Sequence, residues 1–405
     1  MPLPDPDQTP SLLHLRTLVR VADYRTLSSA ARKMLRTLSV VHEGINALEA
    51  QLGVPLFERT QGGWRLTSQG QCVLVRARRI LAELAVLPAM LGQPPVTVHE
   101  QLYLLNARRL VAFVRLCRLQ SMGRVARSLG ISQPAISSTI KALETGTDQT
   151  LFVRSGRGVH PTEIALAILP PIRRALNELD HIFPDLAALQ GTLSGKVRIG
   201  ALPLGRTRLV PEAIAEVLQA HPQVQAEAFD GSFEQLQADL RAGGLDFVFG
   251  ALRGVEDSEL EGEPLLEDGL VVLVRAGHPL AAEVQDLRGL PDAQWIFPRP
   301  MSPARGLIEE CFRQQGLPLP RPTVESGDMA LIRGLLARTD WLAVVSGHQF
   351  DTDLASGELV KLPLALAHTR RSIGLLTRRN ALHAPAVEAL LAALRRAAAR
   401  ASMAE

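Results

Sequence analysis

A stripe of polar side chains lies along one predicted helix near residue 140, and its chemistry suits contact with base pairs. Gln133, Ser137 and Lys141 recur at intervals of four residues, with Ser138 beside them. A glutamine amide can bind an adenine edge with two hydrogen bonds, while hydroxyl and ammonium groups bind phosphates or base edges. Residues four apart share one face of a helix, so the spacing predicts a nucleic-acid-contacting surface.

The elements that must position this stripe form a predicted helix-turn-helix. Ser132 can cap the helix, and Pro134 is tolerated in its first turn because that N–H has no helical partner. A short helix at about 124–129, capped by Ser121, precedes it and ends at Gly130. The helix is apolar on the side away from the stripe, and a long helix at about 108–119 presents a second apolar face. The residues predicted to be buried are Ile136, Ile140 and Leu143, with Leu110, Phe113, Val114 and Cys117.

The segment at 151–160 is typical of a wing, a short hairpin that contacts phosphates. It reads LFVRSGRGVH, an apolar strand followed by a loop of Gly and Arg. Arg154 and Arg157 are its candidate phosphate contacts, and Ser132 and Pro134 join the candidate DNA-contacting residues at the start of the helix.

An internal repeat spans the first 190 residues at a constant offset of 95. It maps Leu48-Glu49 onto Leu143-Glu144, Thr67 onto Thr162, and the arginine pair at 78–79 onto the pair at 173–174. The first copy places Leu38, His42 and Asn46 where the second has Gln133, Ser137 and Lys141, and Glu43 where the second has Ser138. We therefore expect the second copy to make the principal base contacts. The first copy either adds weaker contacts to the DNA backbone, through Arg32, Lys33, Arg59 and Arg65, or only assists dimerisation.

These motifs resemble the DNA-binding domain of LysR-type transcriptional regulators. The matching segments are SQPAIS at 132–137, Leu143-Glu144, LFVR at 151–154 and Thr162, with LSSAA at 27–31 and LEAQLGVPLFER at 48–59 in the first copy. The family normally has one such domain, so two in tandem are a departure. The resemblance implies a linker helix in each copy, at 68–87 and 163–189, of the kind that pairs antiparallel between subunits. We expect Pro170 and Pro171 to interrupt or kink the second.

Strands alternate with helices from 195 to 400, which predicts an α/β fold with a parallel sheet covered on both faces. This part is similar to the family's effector-binding domain, a two-lobed fold like that of periplasmic binding proteins. The predicted organisation is therefore two all-α winged helix-turn-helix domains and one two-lobed α/β domain. Its limits are 11–87 for the first copy, 88–99 for a linker, 100–190 for the second copy and 195–400 for the sensor. Lobe I takes about 195–269 and 364–400, and lobe II about 270–363.

Two loops of the sensor are candidates for binding a carboxylate, since helix N-termini and arginine forks favour anions. One loop follows the strand near 200 and the other follows the strand at Trp295–Phe297, whose aromatic residues we expect in the core. The candidate ligand contacts are Arg206, Thr207, Arg299, Ser302 and Arg305.

Charge and cysteine content exclude other classes of protein. Residues 1–190 contain 22 of the 44 Lys and Arg and 14 acidic residues, a net charge of +8. Residues 191–405 contain the other 22 basic residues and 27 acidic ones, a net charge of −5. A basic front half favours a polyanionic partner. Three distant cysteines favour neither a disulfide scaffold nor a zinc site, and no catalytic motif or cofactor signature is present in the sequence. The N-terminal segment, with four prolines and two acids, is unlike a secretory signal, and no apolar run is long enough to span a membrane.

We interpret the chain as a cytoplasmic, non-enzymatic regulator that binds double-stranded promoter DNA as a homo-oligomer and responds to a small, anionic metabolite, without metal or cofactor. The alternative is a cytoplasmic small-molecule-binding protein whose helix-turn-helix units mainly mediate oligomerisation. Retention on DNA with a steep salt dependence separates the two.

Overall fold

The computed structural model describes residues 9–60, 63–93, 101–156, 158–252, 258–282, 286–290 and 293–403. Its N-terminal part contains one arrangement twice. The first copy comprises α1 (Leu12–Tyr24), α2 (Leu27–Lys33), α3 (Leu38–Leu52), β1 (Phe57–Thr60), β2 (Gly63–Leu66), α4 (Ser68–Ala85) and α5 (Leu87–Met90). The second comprises α6 (Ala107–Leu119), α7 (Met122–Leu129), α8 (Gln133–Thr147), β3 (Phe152–Ser155), β4 (Gly158–Pro161), α9 (Glu163–Asp180) and α10 (Ile182–Leu189). Each element of the second copy starts 95 residues after its counterpart.

Local chemistry explains why both copies fold alike. Thr37 and Ser132 cap α3 and α8 by accepting hydrogen bonds from backbone amides three residues on. Glu144, on α8, accepts from the amides of Leu151 and Phe152 at 2.9 and 3.1 Å, and Glu49 makes the same two bonds in the first copy. Each carboxylate therefore fixes the start of its β-hairpin relative to the preceding helix.

The apolar faces predicted for the second copy are buried. The side chains of Ile136, Ile140 and Leu143 and those of Leu110, Phe113, Val114 and Cys117 are all at most 9% exposed. They belong to a single apolar core that also includes the buried residues of the first copy. The two copies therefore pack against each other within one chain.

The predicted interruption of α9 by its prolines is wrong. The helix runs unbroken from Glu163 to Asp180 and includes Pro170 and Pro171, although each lacks the N–H that a helix interior uses. Ile168 and Ile172 on either side are buried, so packing of this face stabilises the helix through the two missing bonds. The break between α9 and α10 falls at His181 instead.

Lobe I contains a five-stranded sheet in the order β6-β5-β7-β14-β8. Its elements are β5 (Gly195–Ala201), α11 (Leu209–Ala220), β6 (Val224–Phe229), α12 (Phe233–Arg241), β7 (Phe247–Ala251), β8 (Leu260–Asp268), β14 (Arg371–Arg378) and α16 (Pro385–Met403). β5, β6 and β7 are parallel, whereas β14 pairs antiparallel with β7 and β8. The expectation of a parallel sheet thus holds for three of these strands.

Strand β8 was not predicted, because its sequence LEGEPLLED contains a proline and four acids. Proline is accommodated there because β8 lies at the edge of the sheet, where a ladder hydrogen bond can be missing. A Cβ atom at Gly374 would lie 2.0 Å from the carbonyl oxygen of Glu263, so only glycine fits opposite this strand.

Lobe II contains a second sheet, in the order β11-β10-β12-β9-β13. Its elements are β9 (Leu270–Arg275), β10 (Trp295–Phe297), α13 (Pro303–Gln314), β11 (Val324–Glu325), α14 (Met329–Leu336), β12 (Leu342–Ser346), α15 (Asp351–Ser356) and β13 (Leu359–Lys361). Trp295 and Phe297 are fully buried, as predicted, and pack with Phe312 at ring-centroid separations of 6.2 and 6.5 Å. The chain passes between the lobes at Gly269 and again between β13 and β14.

Candidate DNA-contacting surface and ligand cleft

Helix α8 presents its predicted polar stripe to solvent. Gln133, Ser138 and Lys141 are exposed, and Ser137 is half-buried. Ser132 and Pro134, at the start of the helix, are exposed as well. The opposite face is sealed in the core, so a duplex can approach this helix only on the side that carries amide, hydroxyl and ammonium groups.

The hairpin of β3 and β4 lies beside this helix system. Arg154 is exposed on β3, and Arg157 lies outside the described residues. The hairpin is attached through the amide of Val159, which donates to the carbonyl of Gln120 at 3.1 Å. Gly158 has a φ of +127°, and a Cβ atom there would lie 2.8 Å from that same carbonyl. Glycine is therefore required for the wing to close against the end of α6.

Helix α3 presents a different surface at the equivalent positions. Leu38 and Val40 are 51% and 49% exposed, so large apolar groups stand where α8 has Gln133 and Ala135. Four polar side chains of α3 are exposed and bond in pairs: Ser39 donates to Glu43 at 3.1 Å, and His42 lies 3.2 Å from Asn46. The three arginines predicted to contact phosphates, Arg32, Arg59 and Arg65, are exposed.

Helices α4 and α9 pack side by side and dock on lobe I. Arg198 of β5 donates to Asn177 at 3.1 Å and to Asp180 at 2.5 Å, both on α9. Asp246, which precedes β7, accepts from the backbone amide of Arg198 at 2.7 Å. Burial raises the pKa of Asp246 to about 6, against the opposing effect of the Arg198 guanidinium. This cluster of polar side chains connects α9 to lobe I through hydrogen bonds.

A cleft of about 350 Å³ lies between the lobes. Its walls include the loop after β5 and the N-termini of α12, α13 and α14. The polar side chains lining it are Ser232, Glu234, Ser302, Ser326, Ser346, Gln349 and Arg371. Helix N-termini and a guanidinium favour negative charge, so the cleft suits a small anion.

Only Ser302 of the five predicted ligand contacts lines this cleft; it also caps α13 by accepting from the amide of Arg305 at 3.2 Å. Arg206, Thr207 and Arg299 are exposed and are not among the described side chains that line it. Thr207 lies 3.4 Å from the carbonyl of Leu204, to which its hydroxyl donates.

Arg305, another predicted ligand contact, is not among the side chains that line the cleft and has partners within lobe II. Its guanidinium pairs with Glu309 at 2.8 Å and with Glu325 at 3.0 Å, and it lies over the ring of Phe297 at 5.2 Å. Arg305 is only 9% exposed, so its charge is neutralised inside lobe II. Glu309 stands four residues later in the sequence, a spacing that indicates an ion pair on one helix face.

Sequence reasoning missed Arg371 and Ser346, which line the cleft at the boundary between the lobes. Both contact Asp268, which is 1% exposed: Ser346 donates to it at 2.6 Å and Arg371 at 3.1 Å. Ser346 ends a buried strand of lobe II and Arg371 begins the strand that returns to lobe I. Neither carries a local motif, because their meeting depends on how the two sheets are joined.

Among the residues that the structure describes, no group of His, Cys, Asp and Glu could hold a metal ion, and none of the helices is long and apolar enough to cross a membrane.

Comparison with known proteins matches both parts of the chain. The model for the LysR substrate binding domain matches residues 190–399. The model for the bacterial regulatory helix-turn-helix protein of the lysR family matches twice, at 12–71 and 107–166.

The HTH-type transcriptional regulator GalR of Pseudomonas putida is 50% identical over 389 residues, which is 96% of this chain and 97% of that protein. The regulator GbpR of Azospirillum brasilense is 29% identical and covers 72% of this chain but 86% of its own length. GalR thus matches this chain through both N-terminal copies.

Solved structures share the fold. A full-length OxyR variant from Pseudomonas aeruginosa has a TM-score of 0.56 at 24% identity, covering 71% of this chain and 94% of that chain. CbnR in complex with its target DNA has a TM-score of 0.52 at 19% identity, covering 72% and 99%. With the substrate-binding model spanning half of the chain and GalR matching nearly all of it, the chain belongs to the LysR family of transcriptional regulators.

Proposed function

We propose that this LysR-type regulator reads its promoter DNA principally through α8 of the second copy. The observation that carries the proposal is the exposed stripe of Gln133, Ser138 and Lys141 on a helix whose other face is buried. Gln133 is the candidate base contact, and Ser132, Lys141 and Arg154 are candidate phosphate contacts. At the matching places α3 has Leu38 and Glu43, an apolar group and an anion, which supports a weaker contribution from the first copy.

We also propose that the N-terminal region is a duplicated winged helix-turn-helix, with copies at 11–87 and 100–190. Elements that recur at one offset and two matches to the same family model support the duplication. The sensor at 195–400 resembles periplasmic binding proteins in having two sheets joined by two crossings of the chain. We place the protein in the cytoplasm, where promoter DNA is found, as an oligomer of chains.

We infer that the effector is a small anion bound between the lobes. Arg371 offers a guanidinium, and three helix N-termini offer backbone N–H groups, which supports a carboxylate ligand. A ligand that binds Ser346 or Arg371 competes with Asp268 for the same donors. Occupancy would therefore change the contact that joins the lobes, and with it the placement of the DNA-binding helices.

The experiment for DNA binding is electrophoretic mobility of the chain's own upstream DNA at several salt concentrations. We expect a specific complex whose affinity falls steeply with salt, because phosphate contacts release counterions. No retardation at any salt concentration would overturn the assignment.

The first copy is best tested in place, by His42→Ala, because removing residues 1–95 would uncover the face of α9 that α4 covers.

The experiment for the effector is thermal unfolding with a panel of small carboxylates and their uncharged amides. Stabilisation by a carboxylate and not by its amide, lost in Arg371→Met and retained in Arg370→Met, would support the cleft. Arg370 is an exposed neighbour that does not line it. Equal stabilisation of both variants would contradict the proposed role of Arg371.

A further inference from the structure

Two ion pairs between α4 and α9 are equivalent under the 95-residue repeat. Arg79 Nε lies 2.7 Å from Glu178 Oε1, and Arg174 Nε lies 2.9 Å from both carboxylate oxygens of Glu83. Adding 95 converts position 79 into 174 and position 83 into 178. Each copy thus contributes the same arginine and the same glutamate to its neighbour, and this reciprocity characterises a twofold interface.

The apolar contact between these helices follows the same rule. Four of the apolar residues buried on α4 are Val73, Ala77, Ile80 and Leu84, and adding 95 gives Ile168, Ile172, Ala175 and Leu179, all buried on α9. Going from Arg79 to Glu83 along α4, the partners on α9 go backwards, from Glu178 to Arg174. The two helices therefore run antiparallel. The symmetry therefore includes apolar positions as well as charged groups.

Arg76 breaks this symmetry. Its counterpart in the second copy is Pro171, and it is 1% exposed. It pairs with Glu178 at 2.6 Å and with Asp185 at 2.7 Å, and it donates to the carbonyl of Leu382 at 2.7 Å. Leu382 lies between β14 and α16, in the part of the chain that folds with lobe I. The pair of copies therefore sits on the sensor in one defined orientation.

We propose that the two copies form a pseudo-twofold pair within one chain, and that one chain contacts two half-sites of unlike sequence. This rests on the proposed function, in which the exposed face of α8 contacts DNA. Twofold-related helix-turn-helix units contact two half-sites of a duplex, so like units require like half-sites. Here α8 presents Gln133 and Lys141, whereas α3 presents Leu38 and Asn46 in the same places.

The recognition chemistry of the two half-sites differs accordingly. The amide of Gln133 matches an adenine edge, while the apolar side chains of Leu38 and Val40 match thymine methyl groups. Each pair of half-sites is therefore asymmetric, and the chain binds it in a single direction.

The pairing itself is tested by reversing the ion pair between Glu83 and Arg174. Glu83→Arg and Arg174→Glu are each expected to lower the melting temperature by ~1–2 °C, a small shift because the unfolding entropy of a chain of this size is large. The double variant, with both substitutions on one chain, should melt at a higher temperature than the sum of the two single effects gives. Comparing wild type, the single variants and the double variant as a double-mutant cycle cancels the separate effect of the hydrogen bond from Arg174 to the carbonyl of Arg241.

Co-expression of the two single variants distinguishes pairing within a chain from pairing between chains. If α4 and α9 pair within one chain, the co-expressed variants melt like the single variants. Recovery of the wild-type melting temperature in the mixture would show that the helices pair between chains and would overturn the proposal. This readout requires no DNA, so it stands even if the chain fails to retard its promoter.

Footprinting tests the unlike half-sites. Within each pair of half-sites, Gln133→Ala should remove protection from one and Asn46→Ala from the other, each with at least a tenfold difference between the two. Equal loss from both half-sites in Gln133→Ala would mean that two α8 helices from different chains make the pair, which would overturn the proposal. Absence of any footprint from the wild-type chain would instead remove the proposed function.

Discussion

Ser346 donates its hydroxyl to Asp268 across the boundary between the lobes, with 2.6 Å between Oγ and Oδ1. Asp268 ends β8 in lobe I, and Ser346 ends β12 in lobe II. The other carboxylate oxygen of Asp268 accepts from Arg371, whose Nη2 lies 3.0 Å away. A buried carboxylate thus holds two cleft-lining side chains and connects the two sheets.

Ser346→Ala should lower the free energy of unfolding by about 1–3 kcal/mol, because it leaves a buried carboxylate oxygen without that donor. Urea denaturation of the purified chain measures the change. Ser372→Ala is the matched control, since Ser372 donates to the side chain of Glu267 at the surface and should cost less than about 0.5 kcal/mol. Equal losses in the two variants would argue against a special role for the contact with Asp268.

Gln133→Ala should weaken binding to the specific operator by roughly 1–3 kcal/mol and leave binding to unrelated DNA unchanged, because the lost bonds are to a base edge. Competition binding against operator and random duplexes measures both quantities. Arg154→Ala is the comparison: loss of a phosphate contact should weaken binding to all sequences alike and reduce the salt slope. Unchanged discrimination in Gln133→Ala would contradict base contact by this side chain.

Leu35→Gly should stabilise the chain by about 1 kcal/mol. Leu35 is 75% exposed and has a φ of +53°, a left-handed conformation that costs a side-chain-bearing residue roughly 1–2 kcal/mol. Its counterpart in the second copy is Gly130, with a φ of +66°. The reciprocal variant, Gly130→Leu, should destabilise by a similar amount, and urea midpoints compare the two. Destabilisation by Leu35→Gly would mean that the exposed leucine packs in a way the turn geometry does not show.

Acidification should destabilise the wild-type chain through His181. This side chain is 3% exposed, and burial, then the nearby charges of Arg76 and Arg198, lower its pKa well below the usual value. The folded state thus binds this proton less readily than the unfolded state. Stability is present above the unfolded pKa of about 6.5 and falls as the pH drops through it, by about 1 kcal/mol between pH 7.5 and 6.

His181→Asn should remove its own contribution and leave that of His14 and His383, whose pKa values burial also lowers. His221→Asn, at the half-exposed end of α11, should retain the whole dependence. Urea midpoints at pH 7.5, 6.5 and 6 give the measurement. Asp246, whose pKa is raised to about 6, also takes up a proton in the folded state toward the lower end of this window and acts in the opposite sense. Each variant is therefore compared with the wild-type chain at the same pH. An unchanged pH dependence in His181→Asn would assign the effect to another group.

The sequence predicted most of the helices and the parallel strands, because their signals are local. Ser132 and Gly130 mark the ends of helices by their side-chain and backbone chemistry, and the 95-residue repeat carried the same assignment to the first copy. Strand β8 was not predicted from the sequence, because an edge strand tolerates Pro264 and acidic residues that a central strand does not. The helix through Pro170 escaped because packing outweighed an unfavourable local preference.

The candidate sites divide in the same way. The stripe on α8 was predictable from spacing alone. Arg371 and Ser346 were not, since their common partner Asp268 comes from a strand that the pattern did not reveal. The resemblance implied that each of the two linker helices pairs between subunits. Contact of α4 with α9 in one chain is seen only in the three-dimensional structure, as in the ion pair of Arg79 with Glu178.

Joining both copies in one chain changes how promoter occupancy depends on protein concentration. Two separate chains must first meet, and at low copy number that encounter limits the supply of paired DNA-binding units. Here α4 and its partner α9 belong to the same chain. The effective concentration of one helix for the other is therefore set by the chain that joins them and not by the amount of protein. Assembly of the pair is then a folding event, complete at any dilution. Half-sites can accordingly fill in proportion to the amount of protein rather than to its square.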